Sequence, residues 1–452
     1  MKKFLMGNEA IALGAIRAGV GFVCGYPGTP STEILETIAK QRTDDIYVEW
    51  SINEKAALEV GVGAAYSGVR TLVTMKQVGL NVAADPLMSL AYVGVKGGLV
   101  VVSADDPGPI SSQTEQDTRT FGMFSKVPVF DPSTPEEAYL MMEDAFLYSE
   151  KHQTPVLFRP TTRVCHGSAT IEIQEPVEKP TPEGFIKDTQ KWVIFPRTSY
   201  LNHLKIEKRN PEIGEQFSSY RFNGIKGSGK IGIASGGVSY QYVLEALADS
   251  EFSLSEDDYK VLKIATPFPF PDKLALEFLH SVDKVLVVEE LDPVIERALI
   301  DLCGKHNINI EILGKQTGNI AQAGENSVES VKKALAQYFG KTIDEQKMAV
   351  APPLPIRPPV LCAGCPHRSS FYAVKRAMEG QKANFCGDIG CYTLGNAQPL
   401  DMTDTCLCMG AGGNMAQGLE RTNDGSINFA FVGDSTFFAS AITGVVNAVY
   451  NQ

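Results

Sequence analysis

The pattern of apolar and polar positions along residues 1–170 predicts short strands separated by helices. Apolar runs bounded by turn residues occur at 21–26, 46–49, 71–75, 99–103, 127–130 and 155–159. Helical patterns lie between most of them, for example over 56–66 and 135–150. Near-continuous apolar strands that alternate with helices are typical of a parallel sheet covered by helices on both faces.

The alternation of predicted strands and helices stops after residue 170 and resumes at residue 229. A stretch rich in Pro, Glu and Lys predicts an extended connector over 171–228, and a second α/β unit follows over 229–345. In this unit we expect strands near 230–235, 261–265, 284–289 and 309–313, and helices over 240–247, 273–279, 294–305 and 327–339.

A proline-rich linker, 346–359, precedes a third unit, 360–452. The pattern there predicts helices over 367–379 and 436–450 and strands over 383–386 and 427–432. The chain stops before a third domain of ordinary size would be complete. The predicted fold class is therefore α/β, with three doubly wound parallel-sheet units of which the last is incomplete.

Composition and charge narrow the class of protein. The chain has 452 residues, 44% of them hydrophobic and 21% charged, as in soluble globular proteins. A net charge of −12 argues against nucleic acid or an anionic membrane as the main partner. No apolar run approaches the roughly 20 residues of a membrane span, and the N-terminus lacks the apolar core of a secretory signal. We expect a cytoplasmic protein.

A carboxylate directly after an apolar run is the first candidate for chemistry. Asp434 follows the predicted strand 427–432 and, with Gly433 and Ser435, forms a Gly-Asp-Ser turn before a helix. Ligands bind at this edge of parallel sheets, helix N-termini attract anions, and Mg²⁺ prefers oxygen ligands. The turn therefore suggests a magnesium–diphosphate site, and the alternative is an Asp that caps the helix.

Glu54 is the second candidate, because it opens a helical stretch thick with Ala and Gly. Its spacing from Ser51 also fits an S-x-x-E capping box, which needs no catalysis. A carboxyl group held at a helix start beside an apolar wall could instead have a raised pKa and share a proton with a heterocycle nitrogen.

Two further residues could bind an organic acid. Thr29, in Tyr-Pro-Gly-Thr-Pro-Ser-Thr, suits the N-cap of a helix with Pro30 in its first turn, and such a loop can bind a carboxylate. Arg119 is a possible bidentate carboxylate clamp. The alternatives are an ordinary capped helix and a solvated surface arginine.

Nine cysteines are an odd count for a disulfide framework in a chain of this size, and their placement is uneven, since six fall between residues 362 and 408. Cys362 and Cys365 form a C-x-x-C pair, and Cys391 follows. A zinc site would expect a second C-x-x-C pair, and a thioredoxin-like pair would need its own fold context. These three thiols could otherwise be iron–sulfur ligands.

Six stretches together resemble one family over essentially the whole chain. They are GYPGTPST (25–32), EWSINEKAALE (49–59), TMKQVGLNVAADP (74–86), LCAGCPHR (361–368), GDIGCYTLG (387–395) and VGDSTFF (432–438). The chain resembles the large (alpha) subunits of indolepyruvate:ferredoxin oxidoreductases, which belong to the thiamine-diphosphate-dependent 2-oxoacid:ferredoxin oxidoreductases.

The resemblance implies roles for the domains and residues. Residues 1–170 would be a pyrimidine-binding domain, 229–345 a transketolase-C-terminal-like domain and 360–452 a pyrophosphate-binding domain. Asp434 would ligate Mg²⁺ at the cofactor's diphosphate, in the Gly433–Asp434–Ser435 turn. Glu54 would meet the aminopyrimidine ring and favour its imino tautomer. Thr29 would face the oxoacid, and Arg119 would bind its carboxylate.

The implied reaction is oxidative decarboxylation of an aryl pyruvate with coenzyme A to an aryl-acetyl-CoA. The implied partners are a smaller beta subunit and ferredoxin, reached through [4Fe–4S] clusters. The family's second magnesium ligand, an Asn, would lie beyond Gln452, and its C-terminal ferredoxin-like domain is absent. We therefore expect either a fragment or a remainder supplied elsewhere. The alternatives are a non-oxidative decarboxylase using the same cofactor and a non-catalytic scaffold subunit.

Overall fold

The chain folds into two compact units in a computed structural model, Met1–Asp344 and Glu345–Gln452. The structure describes residues 1–249, 252, 254–342, 352–355, 357–422 and 425–451. Both sheets that the sequence assigns to separate domains belong to the first unit. The predicted linker 346–359 lies partly outside the described residues, at 346–351 and 356.

The strands alternate with helices along most of the chain. In chain order the strands are β1 (Lys2–Met6), β2 (Phe22–Gly25), β3 (Tyr47–Trp50), β4 (Thr71–Lys76), β5 (Leu99–Ala104), β6 (Val129–Phe130), β7 (Val156–Phe158), β8 (Ser168–Glu172), β9 (Gly224–Lys226), β10 (Ile231–Gly236), β11 (Tyr259–Ile264), β12 (Lys284–Val288), β13 (Glu311–Leu313), β14 (Ala383–Cys386) and β15 (Ile427–Ala430).

The helices connect these strands and cover the sheets. They are α1 (Gly7–Arg17), α2 (Thr32–Gln41), α3 (Glu54–Tyr66), α4 (Gln77–Val82), α5 (Ala84–Val93), α6 (Thr118–Ser125), α7 (Pro135–His152), α8 (Thr162–His166), α9 (Thr189–Trp192), α10 (Pro196–Phe217), α11 (Gly237–Leu247), α12 (Asp272–Leu279), α13 (Val294–His306), α14 (Val328–Phe339), α15 (Pro366–Ala377), α16 (Ala411–Glu420), α17 (Asp434–Thr436) and α18 (Ile442–Asn451). A 3₁₀ helix (Cys391–Asn396) and a π-helical turn (Phe437–Ala441) complete the set.

The first sheet confirms the predicted parallel fold. It has six strands in the order β3-β2-β4-β5-β7-β6, and every neighbouring pair is parallel. Along β5, Val100 and Val102 pack into one apolar core while Val101 packs into another on the opposite face. This alternation shows that helices bury both faces of the sheet.

The second sheet has the order β13-β12-β10-β11-β9. Its inner strands are parallel, and Leu286 and Val287 on β12 again face opposite cores. The edge strand β9 runs antiparallel to β11, so the expectation of a purely parallel sheet is wrong at this edge. This strand enters directly from the connector, and an antiparallel pairing at an edge needs no crossover helix.

The predicted extended connector over 171–228 is wrong for its second half. Residues 173–188 carry neither helix nor strand, but the 22-residue helix α10 follows. The buried side of α10 is formed by Ile206, Asn210, Ile213 and Phe217, at the spacing of one helix face. Pro211 inside the helix and the many polar residues around it conceal that period in the sequence.

The second unit is built on the two parallel strands β14 and β15. Its small apolar core contains Leu361, Phe371, Met402 and Phe431. Helix α15 begins at Pro366 and α18 ends the described chain, close to the predicted helices. Among the described residues of both units, no helix combines the length and the apolar character of a membrane span.

Candidate active site

The order of strands in the first sheet identifies an edge where a ligand can bind. The chain passes from β2 outward to β3 and then returns across to β4 on the other side of β2. Loops after β2 and β4 therefore diverge at the carboxyl edge, which creates the crevice that α/β proteins use for ligands. Glu54, Thr29 and Lys76 all follow strands at this edge.

Glu54 is the first residue of α3, and it does not form the predicted capping box. The Asn53 side chain caps this helix by accepting a hydrogen bond of 2.7 Å from Ala56 N–H. The Ser51 hydroxyl instead donates to Glu49 Oε1 at 2.8 Å. The capping-box interpretation is therefore wrong, because the N-cap residue is Asn53, two residues after Ser51. Glu54 is left without a structural role in the cap.

The carboxyl group of Glu54 lies in a close-fitting recess. Only 8% of the residue is exposed, and burial raises the pKa of its carboxyl group, with its own backbone N–H and the Lys76 charge opposing. The side chain packs on Gly79 in α4, where an added Cβ atom would lie 2.4 Å from Glu54 Oε1. Only glycine at position 79 leaves room for the carboxyl group in this position.

Lys76 joins three loops at the same edge. Its Nζ donates to Ser111 O at 3.1 Å, and the Ser111 hydroxyl donates to Thr29 O at 3.3 Å. A Cβ atom at Gly28 would lie 2.8 Å from Lys76 Cδ, so the loop after β2 lies directly on this side chain. Thr29 and Lys76, both in stretches that carry the family resemblance, are thus brought together.

The predicted helix start at Thr29 and Pro30 is wrong by two residues. Helix α2 begins at Thr32, and its N-cap residue is Ser31. The Thr32 hydroxyl accepts a hydrogen bond of 2.9 Å from Gly28 N–H, which folds the loop back on itself. Thr29 remains exposed on the loop, where a small molecule could reach its hydroxyl group.

The structure argues against Arg119 as a substrate clamp and places it in a buried ion network. Its Nη2 donates to Asp117 Oδ2 at 2.6 Å, and its Nη1 donates to Glu289 Oε2 at 2.9 Å. Nη2 also donates to the carbonyl oxygens of Glu290 and Asp292, at 2.7 and 3.0 Å. The residue is 1% exposed, so neither a surface arginine nor an open clamp describes it.

Sequence reasoning assigned no role to Lys76 or Asp106, which the structure places at this edge. Asp106 Oδ2 accepts a hydrogen bond of 2.9 Å from Ser111 N–H and so supports the loop that holds Lys76. Burial raises the pKa of Asp106, but hydrogen bonds from Ser111, Thr162 and Ser112 outweigh burial and lower it. The sequence contains a signal for both residues, a charged side chain at the end of an apolar strand run. Lys76 is the last residue of β4, and Asp106 follows β5, as Asp434 follows its own strand.

In the second unit, two of the resemblance stretches meet at one sheet edge. Because β14 and β15 are parallel, the loops after Cys386 and Ala430 lie side by side. The carboxylate of Asp388 is buried between them and accepts hydrogen bonds from Gly410 N–H at 2.9 Å and Gly433 N–H at 3.0 Å. Asp388 is a structural residue that the sequence reading missed.

Asp434 is exposed at the first position of α17, and the helix cap is Gly433. The structure therefore does not support the alternative of Asp434 as a capping residue. The carboxylate is open to a cation from solvent, next to the exposed Ser435. The Gly433 N–H, by contrast, is occupied by Asp388, so this amide is not free for a phosphate oxygen.

The thiols of the second unit do not gather into a ligand set. Cys362 and Cys391 are exposed, and Cys365 Sγ contacts His367 Nδ1 at 3.1 Å. Within the described part of the chain, no group of three or more His, Cys, Asp or Glu side chains is arranged to hold a metal ion. The geometry thus gives no support to an iron–sulfur site at Cys362, Cys365 and Cys391.

Comparisons with known proteins show the family to which the chain belongs. The family model "Pyruvate flavodoxin/ferredoxin oxidoreductase, thiamine diP-bdg" matches residues 13–208, which include Thr29, Glu54 and Lys76. The chain is 40% identical to the indolepyruvate oxidoreductase subunit IorA of Methanothermobacter thermautotrophicus over 462 aligned positions, covering 100% of this chain and 73% of that protein. It is 39% identical to the IorA subunit of Pyrococcus horikoshii, with the same coverage of both chains.

Solved structures share the fold at low identity. A 2-oxoglutarate:ferredoxin oxidoreductase from Magnetococcus marinus gives a TM-score of 0.58 at 18% identity, over 75% of this chain and 65% of that one. A split-gene transketolase gives 0.51 at 14% identity, over 74% of this chain and 97% of that one. With the IorA relatives matched from end to end of this chain, the chain belongs to the IorA subunit family of the indolepyruvate oxidoreductases.

Proposed function

We propose that this chain is the thiamine-diphosphate-binding subunit of an enzyme that oxidatively decarboxylates aryl pyruvates, indolepyruvate in particular. The C1–C2 bond of the oxoacid breaks to release CO₂, and a C–S bond to coenzyme A forms. Two electrons pass singly to ferredoxin and one proton is released. The names of the IorA relatives support the substrate, and the ferredoxin-dependent family description supports the acceptor.

The observation that carries the proposal is the buried carboxyl group of Glu54 at the switch-point edge. Burial raises the pKa of this carboxyl group, which favours its protonated form, and Gly79 packs against it. A protonated carboxyl group in a recess bounded by glycine fits the ring nitrogen of an aminopyrimidine, with which it would share that proton. Thiamine diphosphate, when bound, supplies the electron sink for decarboxylation.

Lys76 and the exposed hydroxyl of Thr29 are placed to bind the oxoacid. Burial lowers the pKa of Lys76, with Asp106 and Glu54 opposing that shift. Its Nζ lies within 3.1 Å of Ser111 O, on the loop that also contacts Thr29. A cation supported in this way fits a substrate carboxylate better than Arg119, whose partners are already in place.

Asp434 would ligate the Mg²⁺ that accompanies the diphosphate, because its exposed carboxylate offers the oxygen ligands this ion prefers. Asp434 is a single oxygen ligand, and within the described residues no group of three or more His, Cys, Asp or Glu side chains completes a metal site, at Asp434 or at the thiols. We therefore assign no electron-transfer step to Cys362, Cys365 or Cys391. A second subunit and [4Fe–4S] clusters outside this thiol set complete the proposed path to ferredoxin.

Glu54→Gln tests the proposal. In the assembled enzyme with thiamine diphosphate, Mg²⁺, coenzyme A and indolepyruvate, this change should lower turnover by about 10²-fold or more, since it removes the shared proton. Glu59→Gln, which changes an exposed carboxylate of the same helix, should leave turnover unchanged. Normal turnover in Glu54→Gln would refute the assignment. An aldehyde product without consumption of coenzyme A would identify a non-oxidative decarboxylase instead.

Asp434→Asn should weaken binding of thiamine diphosphate in the presence of Mg²⁺, because an amide is a poorer ligand for this ion than a carboxylate. Isothermal titration calorimetry measures the effect. Asp401→Asn is the matched control, since Asp401 is exposed in the same unit and its positive φ of 51° is tolerated by asparagine. Equal affinities in the two variants would contradict the role of Asp434.

A further inference from the structure

A second concave surface lies at the opposite edge of the first sheet from Glu54. It is a groove of about 1250 Å³ between the C-terminal ends of α5 and α7 and the helices α9 and α10. Helices α5 and α7 end where the chain leads into β5 and β7, so the groove lies at the amino edge of the sheet. The proposed active site occupies the carboxyl edge, and the groove is therefore not part of it.

The charge of this basic groove is opposite to that of the whole chain. Its lining includes the cationic side chains Lys151, Lys191, Arg197, Lys205 and Arg209, together with His152. The acidic residue among the described lining residues is Asp188, whose carboxylate already caps α9 by accepting from Gln190 and Lys191 N–H. A chain with a net charge of −12 thus concentrates positive charge in one place.

In the described part of the chain, no ion pair joins these cations to a carboxylate, and Lys151 donates to Gln216 Oε1 instead. The Arg209 guanidinium donates to Lys126 O and Asn210 Oδ1, each at 3.2 Å, and burial lowers its pKa to about 10. Burial lowers the pKa of His152, and the charges of Lys151 and Arg209 lower it further, against the hydrogen bond that His152 Nε2 donates to Gln216 Oε1. Positive charges that lower the pKa of a neighbouring histidine indicate a region of positive potential.

The same surface is also apolar. Phe195 is 61% exposed and Leu201 is 46% exposed, and both line the groove. In the same stretch of chain, Phe185, Ile186, Ile194, Tyr200 and Leu204 are also exposed. Exposed large apolar side chains beside a groove are typical of protein–protein contacts, and a purely ionic ligand would not need them.

We propose that the basic groove binds an acidic, amphipathic segment of the enzyme's second subunit. This inference rests on the proposed function, which requires such a subunit. Carboxylates on the segment would pair with the cations of the groove, and its apolar side would cover Phe195 and Leu201. An amphipathic segment laid in a groove is a recurrent mode of recognition, and opposite charges would speed association and fix its orientation.

Charge reversal tests the inference. In the complex reconstituted from this chain and its second subunit, the double change Arg197→Glu and Lys205→Glu should raise the dissociation constant at least tenfold. Both side chains are exposed, so the fold should hold. The double change Lys2→Glu and Lys3→Glu, on exposed residues of β1, alters the net charge equally and should leave the affinity unchanged. Added salt should weaken the wild-type complex and have less effect on the groove variant.

A second variant separates the apolar contribution. Leu201→Asn should weaken the complex at every salt concentration, because it removes apolar contact without changing charge. An unchanged dissociation constant in both groove variants would overturn the inference, as would a wild-type chain that never binds the second subunit. Two other results would also overturn it. One is a self-dimer, seen by light scattering, that the charge-reversal variant abolishes; the other is heat on titration of coenzyme A that this variant abolishes.

Failure of the inference and failure of the proposed function give different results. Glu54→Gln should bind the second subunit with wild-type affinity and not turn over. A groove variant should bind thiamine diphosphate normally and regain turnover when excess second subunit is supplied, by mass action. A complex that assembles through the groove but turns over in Glu54→Gln would refute the proposed function and leave the docking surface in place.

Discussion

At the scale of single residues, burial determines what a charged side chain can do. Glu54 lies in a recess with little exposure and a raised pKa, so it can hold a proton. Arg119 is equally enclosed, but Asp117 and Glu289 surround it and keep it charged. The first residue is available to a ligand, and the second stabilises the fold.

Arg119→Ala should lower the free energy of unfolding by about 3–5 kcal/mol, because it leaves the buried carboxylates of Asp117 and Glu289 without a cation. Arg119→Lys should cost less, since it keeps the charge and loses only the paired geometry of the guanidinium. Chemical denaturation of both variants measures these differences.

The same pair of variants distinguishes the structural role from the substrate clamp. If Arg119 has a structural role, Arg119→Lys should lower the free energy of unfolding and change the KM for indolepyruvate little. An Arg119→Lys protein with unchanged stability and a greatly raised KM would restore the clamp interpretation, which the hydrogen bonds of Arg119 now argue against.

At the scale of elements, the contact between α3 and α4 positions the proposed acid. Gly79→Ala would place a Cβ atom 2.4 Å from Glu54 Oε1, so the flexible end of the glutamate should move out of its recess. We expect a loss of turnover of at least tenfold with little loss of stability, because alanine also favours the helix. Activity assays and thermal melts of the assembled enzyme measure the two effects.

Gly63→Ala is the matched control for Gly79→Ala. Gly63 is an exposed residue in the middle of α3, and an added Cβ atom there meets no atom within 4 Å. The change should stabilise the helix by up to about 1 kcal/mol and leave turnover unchanged. If Gly79→Ala behaved like this control, the position of the Glu54 carboxyl group would not depend on the α3–α4 contact.

The elements that the sequence predicted well are those with an uninterrupted local signal. The inner strands β4 and β5 of the first sheet are apolar runs buried on both faces, and β5 and β14 lie within one residue of their predicted bounds. Helix α10 was missed because Pro211 and a largely polar surface conceal its buried stripe. The antiparallel pair β1 and β8 was missed because its strands are 160 or more residues apart and mostly exposed.

At the scale of the whole molecule, some site residues also have a local sequence signal, and others depend on contacts between distant parts of the chain. Glu54, Thr29 and Asp434 can be predicted as site residues from the sequence, because each lies next to an element with a clear pattern. The partners of Arg119 were not found, because Glu289 is 170 positions away and no local pattern links the two residues. Asp388 lies within the stretch 387–395 that carries the family resemblance. Its hydrogen bonds to Gly410 and Gly433 nevertheless depend on how three loops meet, which no local pattern shows.

The ion network also joins the two sheets of the first unit at their carboxyl edges. Arg159 pairs with Asp105 at 2.7 Å and with Asp131 at 3.2 Å, and Asp131 N–H donates to Ala265 O after β11. Carboxylates outnumber cations there, and this excess of negative charge adds to burial in favouring protonated carboxyl groups. Burial, partly opposed by Arg159, raises the pKa of Asp105 to about 6.

Glu290, after β12, makes the stability of this unit depend on pH. Burial, partly opposed by a hydrogen bond from Asn326 N–H, raises its pKa from 4.5 to about 7. The folded state therefore binds more protons than the unfolded state between those values. By linkage, this contribution to the free energy of unfolding is full below pH 4.5 and falls as pH rises to about 7, by roughly 3 kcal/mol in total.

Glu290→Gln should remove this dependence, because the amide keeps an acceptor for Asn326 N–H and does not ionise. Relative to wild type, the variant should gain stability steadily from pH 5 to pH 8 in chemical denaturation. Glu277→Gln, which changes an exposed carboxylate of α12, should follow the wild-type profile throughout. If Glu290→Gln and wild type gave parallel profiles, Glu290 would be ionised in the folded protein, and the network would hold one more negative charge than its burial favours.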